Sequence, residues 1–208
     1  MDPDIIFERI SPAELRLSEV EVASRLKTKK GYTDDVIEAC RARLEGVLDC
    51  RFSAVKVSVC YPAENIIDLG FGEFKSVSLY DNLDSAPQAY IFAATIGLGA
   101  DRLILKLAGT SPSEHFITDA LASAYAEAAA ERADELLRAR AKSMGLVCRR
   151  RYSPGYGDMP LSLQPNVLRM VNAGRLLGIT LSDSLLMSPK KSITAVMGLK
   201  LPQGEQEA

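Results

Sequence analysis

The stretch RYSPGYGDMPLSLQ, residues 151–164, gathers the residue types best suited to gripping a small molecule. Arg151 follows two further arginines, Arg149 and Arg150, and leads into Ser153-Pro154-Gly155-Tyr156-Gly157-Asp158. A Pro-Gly pair suits the central positions of a type II turn, which exposes backbone N–H groups. A guanidinium is the side chain best shaped to hold a carboxylate through two parallel hydrogen bonds. Tyr152 or Tyr156 could lie along a planar ring or hydrogen-bond a polar group. Arginine, turn amides and tyrosine together fit a small zwitterion or carboxylate. The same residues also make an ordinary surface turn with a salt-bridged arginine.

Other patterns carry less chemistry. The sequence has no GxGxxG after a strand, no GxxxxGK[ST] and no GxSxG. IGLGADR, residues 96–102, is glycine-rich, which a tight turn explains. The single histidine, His115, excludes most zinc-site patterns, and none of Cys40, Cys50, Cys60 and Cys148 forms a CxxC pair. No metal site and no catalytic side chain is assigned. Cys40 on an apolar helix face and Cys60 in a strand read as buried core residues. Cys148 precedes the arginine cluster, where cations lower a thiol pKa, although a strand-buried thiol is the plainer reading.

The elements that must position the turn follow from periodicity. TDDVIEACRARLEGVLD sets Val36, Ile37, Cys40, Leu44, Val47 and Leu48 on one helical face. In SAVKVSVCY, Val55, Val57, Val59 and Tyr61 point one way and Lys56, Ser58 and Cys60 the other, which predicts a half-buried strand. AYIFAATIG is continuously apolar and predicts a central strand. A long helix starts at Ser111, with Glu114 three residues on and Pro112 at its first position, and runs to Gly145. A short strand around LVCRRRY and a helix with Pro165 in its first turn and Gly174 at its end come next. Residues 184–187 and 192–199 read as a hairpin whose tip is Ser188-Pro189-Lys190-Lys191. No regular strand–helix alternation is present, so the fold class is α+β, with a mostly antiparallel sheet and the long helix against it.

Composition narrows the partners. Lys plus Arg is 25 against 27 Asp plus Glu, a balance that argues against a general nucleic-acid binder. The longest uncharged run, between Asp84 and Asp101, is too short and too broken to span a bilayer. The start, MDPDIIFERI, is acidic and lacks an apolar stretch of signal-peptide length, so a cytoplasmic location is expected.

The run from Arg151 to Leu199 resembles the C-terminal part of the activation domain of cobalamin-dependent methionine synthase. The family's R-x-x-x-G-Y signature corresponds to Arg151, Gly155 and Tyr156. Its G-[IM]-x-L-[ST]-[DE]-S stretch corresponds to Gly178, Ile179, Leu181, Ser182, Asp183 and Ser184, and its M-x-P and Ser-rich strand to Met187, Pro189 and Ser192. Upstream, FAATIGLGADR and DALASAYAEAAAER look like the family's strand and long helix. The likeness is good over 85–199 and loose over 1–84; the tail, 200–208, is expected to fray.

The resemblance implies a C-shaped single domain over 1–208 with a twisted antiparallel sheet. It implies S-adenosylmethionine held by Arg151, Ser153, Gly155 and Tyr156 in a shallow cleft. The family's ligand-holding glutamate aligns with Ser123, with Glu127 one turn on, and its last-strand tyrosine with Val196 and Met197. The implied role is a stand-alone reactivation subunit in methionine biosynthesis. It would dock on a corrinoid protein that carries the cobalamin, with a flavodoxin- or ferredoxin-like electron donor. A docking module without S-adenosylmethionine binding is the alternative. Lys190 and Lys191 are expected at the hairpin tip, facing the partner and away from the cleft, or simply solvated.

Overall fold

The computed structural model describes residues 4–26 and 32–202. The expected fraying beyond residue 202 falls outside these residues. Five strands form the main sheet: β1 (Ile5–Ile10), β2 (Cys50–Ser58), β6 (Gln88–Thr95), β7 (Val147–Cys148) and β10 (Ser192–Lys200). Their order is β1-β2-β6-β10-β7, and every pairing is antiparallel. A second small sheet joins β3 (Cys60–Ala63), β4 (Ile66–Asp68) and β5 (Glu73–Lys75), and a two-stranded ribbon joins β8 (Thr180–Leu181) to β9 (Met187–Ser188). The helices are α1 (Glu19–Leu26), α2 (Asp34–Glu45), α3 (Val77–Leu83), α4 (Leu98–Ala108), α5 (Pro112–Ser143), α6 (Gln164–Met170) and α7 (Ala173–Leu177). The architecture is α+β, as the sequence pattern implies.

Strand β6 is apolar from Ala89 to Ala94 because both of its faces are covered. Tyr90, Phe92 and Ala94 join Phe52, Ala54, Ala195 and Met197 in a core against α5 and α2. Ala89, Ile91 and Ala93 join Val55 and Val196 in a second core against α3, α6 and α7. In β2 the expected alternation holds from Val55 onward, where Lys56 and Ser58 are exposed, but Phe52, Ser53 and Ala54 are buried on both faces. Cys60 corrects the sequence expectation: it is exposed, on the Lys56–Ser58 side of the alternation.

Helix α5 begins as its sequence dictates, with the Ser111 hydroxyl accepting from the Glu114 N–H and Pro112 in the first turn. It ends at Ser143, just before Gly145, which has a left-handed φ of 71°. Its buried face is mostly alanine, so the sheet approaches it closely, while Ile117, Leu121 and Leu137 fill the gaps. Each of these three large side chains stabilises the fold by about 1.5–3 kcal/mol through burial.

Three local expectations change. Helix α2 stops at Glu45, with Cys40 and Leu44 buried but Val36 and Val47 exposed, because the chain turns toward β2 before the apolar stripe is complete. The helix after Pro165 breaks at Asn172, which adopts φ 51°, and Gly174 lies inside α7 instead of ending the helix. The exit hairpin does not form: β9 pairs with β8, while β10 pairs with β6 and β7. The long apolar run of β10 is better buried between two strands than in a two-stranded ribbon.

Candidate functional site

The edge of the main sheet sets the site. After β7 the chain stays beside β10, with the Arg149 N–H donating to Gly198 O at 2.8 Å. Tyr152 and Val196 exchange both backbone bonds, at 2.9 and 2.7 Å. At Ser153 the chain leaves the strand, and β10 runs on to Ser192 without that neighbour. A cleft of about 1180 Å3 lies here. Its lining joins Arg151, Tyr152, Ser153, Pro154 and Tyr156 to Ser192, Ile193 and Thr194 of β10 and to the β8–β9 ribbon with its connecting loop. Glu127 of α5, Asp101 of α4, Leu161, Gln164 and Lys190 complete it.

The turn has the expected geometry. Gly155 has φ 88°, and the Tyr156 N–H donates to Ser153 O at 3.2 Å, as a type II turn requires. Its amides are not offered to a ligand, however: Gly155 N–H donates to Met159 O at 2.9 Å, and that of Tyr156 closes the turn. The expectation of free amides at Gly155 and Tyr156 is therefore corrected. Gly157 is forced by space as well as by its φ of 52°, since a Cβ there would lie 2.2 Å from the Tyr152 hydroxyl.

Asp158 anchors the turn to α3. Its carboxylate accepts from Ser76 Oγ at 2.7 Å and from the N–H groups of Val77 and Ser78 at 2.6 and 3.0 Å. These bonds, led by that from Ser76, hold its pKa down to about 2. A carboxylate accepting donors from a helix start is stabilised in its charged form.

Arg151 is only partly satisfied. Its Nη2 donates to Glu127 Oε2 at 3.1 Å and lies 3.6 Å from Glu131 Oε2. Its Nη1 is buried and has no hydrogen-bond partner among the described residues. Tyr156 is 69% exposed at the cleft, free to meet a ligand or a partner surface. Thus Arg151, Ser153 and Tyr156 stand together with Glu127, and Gly155 shapes the turn that carries them.

Other candidates fall elsewhere. Val196 and Met197 are fully buried, one in each core, and line no part of the cleft; the strand's alternation sends both inward at this register. Ser123 donates to Asp119 O and accepts from Lys191 Nζ at 2.8 Å, which places it outside the cleft lining. Lys191 also pairs with Asp119 at 2.8 Å, so it fastens β10 to α5 instead of capping a hairpin. Lys190 is the reverse of the expectation, since it lines the same cleft as Arg151; its N–H donates to Asp101 Oδ2 at 2.7 Å. Burial pushes the Cys148 thiol up to about 11, outweighing Arg138, which supports the inert reading. His115 Nδ1 is bonded to Ile104 O, a structural contact.

Sequence reasoning missed Gln164 and Thr194. Both are buried, and the Gln164 amide meets Thr194 Oγ1 at 2.9 Å and Met187 Sδ at 3.1 Å. The signal was present: Ser192 and Thr194 are polar at every second position in the start of an otherwise apolar strand. Few polar groups set in an apolar lining are what orients a ligand in such a cleft. Among the described residues, no group of His, Cys, Asp and Glu could hold a metal ion, and no helix is long and apolar enough to cross a membrane.

No family model matches the sequence, and no curated protein matches it. Among solved structures, the chain is similar to the crystal structure of the MetH reactivation domain bound to AdoHcy. The TM-score is 0.68 at 16% identity, over 94% of this chain and 78% of that one. The likeness shows a shared fold.

Proposed function

Starting from that shared fold, we propose that the protein is a reactivation module that binds S-adenosylmethionine in the cleft beside Arg151. The observation that carries the reading is the cleft itself, where a guanidinium with one unpartnered nitrogen stands beside Glu127, Ser153 and an exposed tyrosine. A zwitterionic nucleoside ligand has a carboxylate for Arg151, an ammonium for Glu127 and flat apolar surface for the remaining lining. The similar structure holds AdoHcy, which is the demethylated form of this ligand.

In this reading the protein docks its cleft on a corrinoid protein in the cytoplasm, within methionine biosynthesis. There, one electron from a flavodoxin- or ferredoxin-like donor and the methyl group of S-adenosylmethionine convert cob(II)alamin to methylcobalamin, releasing S-adenosylhomocysteine. The chain supplies no reacting side chain; it holds the donor in place, which is catalysis by proximity. The whole chain, 1–208, acts as one domain in this role.

Isothermal titration with S-adenosylhomocysteine tests the binding. Wild type should give a saturable heat, and Arg151→Ala should weaken affinity by at least about thirty-fold, the loss of a charge-assisted bidentate contact. Undiminished affinity in Arg151→Ala would remove Arg151 from the site. A second reading, docking without the methyl donor, is favoured by one observation: Arg151 is already engaged by Glu127 and Glu131. It predicts a complex with a corrinoid protein and no heat with the nucleoside.

A further inference from the structure

Among the polar side chains of the cleft lining, Gln164 and Thr194 are the most buried, at 2% and 3% exposure. Three elements bring them together with Met187: Gln164 opens α6, Met187 belongs to β9 and Thr194 to β10. Gln164 Nε2 lies 2.9 Å from Thr194 Oγ1 and 3.1 Å from Met187 Sδ, so each of its two N–H bonds has an acceptor. The Thr194 hydroxyl donates in return to Gln164 Oε1 at 3.1 Å. Every donor hydrogen of these side chains is thus used within the cluster. The capacity that remains is on the acceptor side, a second lone pair on Gln164 Oε1 and another on Thr194 Oγ1. Met187 also fixes which way the amide faces. A thioether sulfur accepts and never donates, so a turned-over amide would set its oxygen against the sulfur.

We infer that the Gln164–Thr194–Met187 cluster selects the base of the ligand, accepting a hydrogen bond from the exocyclic amino group of a 6-aminopurine and rejecting a 6-oxopurine. The inference rests on the nucleoside reading of the cleft and adds the residues that choose the base. The lining beside the cluster suits a flat ring. Leu181 pairs with Met187 across the ribbon, Ile193 precedes Thr194, and Leu161 lies one turn before Gln164. Met187 itself is flexible and polarisable, so it can lie against a ring. An amino group brought to the cluster meets a spare lone pair in a buried setting. A 6-oxopurine puts a carbonyl oxygen in the same place, acceptor against acceptor, with no water to relieve either. The amide cannot adapt by turning over, because the Met187 sulfur holds its nitrogen side. Few polar groups in an apolar lining thereby give direction to a surface that would otherwise take any flat ring.

Titration calorimetry with S-adenosylhomocysteine and S-inosylhomocysteine tests the inference, since the two ligands share one tail and differ at the 6-position of the purine. Contacts made by the tail cancel in the ratio of their affinities. Wild type should prefer the adenosyl ligand by at least about ten-fold, the cost of leaving buried acceptors opposed. Gln164→Leu removes the amide and should reduce that preference to about three-fold or less. Met187→Leu nearly conserves volume and frees the amide to turn over, so it should narrow the preference mainly by strengthening the inosyl ligand. A merely structural role for Met187 would instead weaken both ligands alike. Circular dichroism melts identify a variant that does not fold, and the isosteric Thr194→Val then takes the place of Gln164→Leu, with the same loss of preference expected. Equal affinity of wild type for the two ligands refutes the inference and leaves the cleft reading standing. A preference that persists unchanged in the folded variants also refutes it, because the amino group is then read elsewhere. Binding of neither ligand overturns both the inference and the nucleoside reading.

Discussion

Arg151 and Asp158 close the two ends of one turn, and they are satisfied to very different degrees. The Asp158 carboxylate accepts three hydrogen bonds within 3.0 Å, all from the start of α3. The Arg151 guanidinium makes one bond at 3.1 Å and one looser approach at 3.6 Å, and Nη1 has no partner among the described residues. One end is fastened and the other keeps unused hydrogen-bonding capacity beside a cleft. A buried polar group without a partner is costly, so a ligand that reaches it has more to gain than at a satisfied site. The contrast repeats across the cleft: Lys191 is tied to Asp119 and Ser123, while the Lys190 side chain is exposed at the lining.

The largest effect should come from breaking the fastened end. Gly157→Ala must place a Cβ in a left-handed conformation against the Tyr152 hydroxyl, and should destabilise the protein by about 2–4 kcal/mol. Urea unfolding measures it; a loss below about 0.5 kcal/mol would mean the turn is not held at this point. Next, Asp158→Asn should lower the melting temperature by a few degrees at neutral pH. Because the folded pKa of Asp158 is depressed, its contribution is complete above the ordinary value of 3.8 and disappears as pH falls to about 2. Melting profiles between pH 4 and 2 should therefore fall more steeply for wild type than for Asp158→Asn, and parallel profiles would contradict the anchoring role. The smallest effect separates the lysines. Lys191→Ala should cost about 1 kcal/mol, since its ammonium is mostly shielded and doubly partnered. Lys190→Ala should stay within about 0.5 kcal/mol. Equal losses in the two variants would erase the distinction between tied and available groups.

Much of the frame was legible. The cap at Ser111 and the apolar run of β6 are local signals, and both elements appear where they predict. The Pro154-Gly155 turn is equally local, and so is its geometry. The resemblance to an activation domain agrees with the shared fold. The site was legible only in part. Arg151, Ser153, Gly155 and Tyr156 cluster in sequence, so their neighbourhood in space needed no long-range information. Val196 and Met197 were misplaced because a strand's alternation tells which residues share a face, not where along the strand the neighbour departs. The exit hairpin failed for a related reason: 192–199 reads as a strand, but its partners β6 and β7 are distant in sequence.

By itself, the sequence determined the elements whose causes lie within a few residues. These are the capped alanine-rich helix, the apolar central strand and the turn after Arg151, since propensity, capping and steric limits on φ act locally. Only the tertiary structure decided what each charged group faces. It brought Glu127 and Glu131 to Arg151, Ser76 to Asp158, and Asp119 to Lys191. Most of these pairings span tens of residues, and electrostatic interaction depends on separation in space and on burial, neither of which is written in sequence spacing.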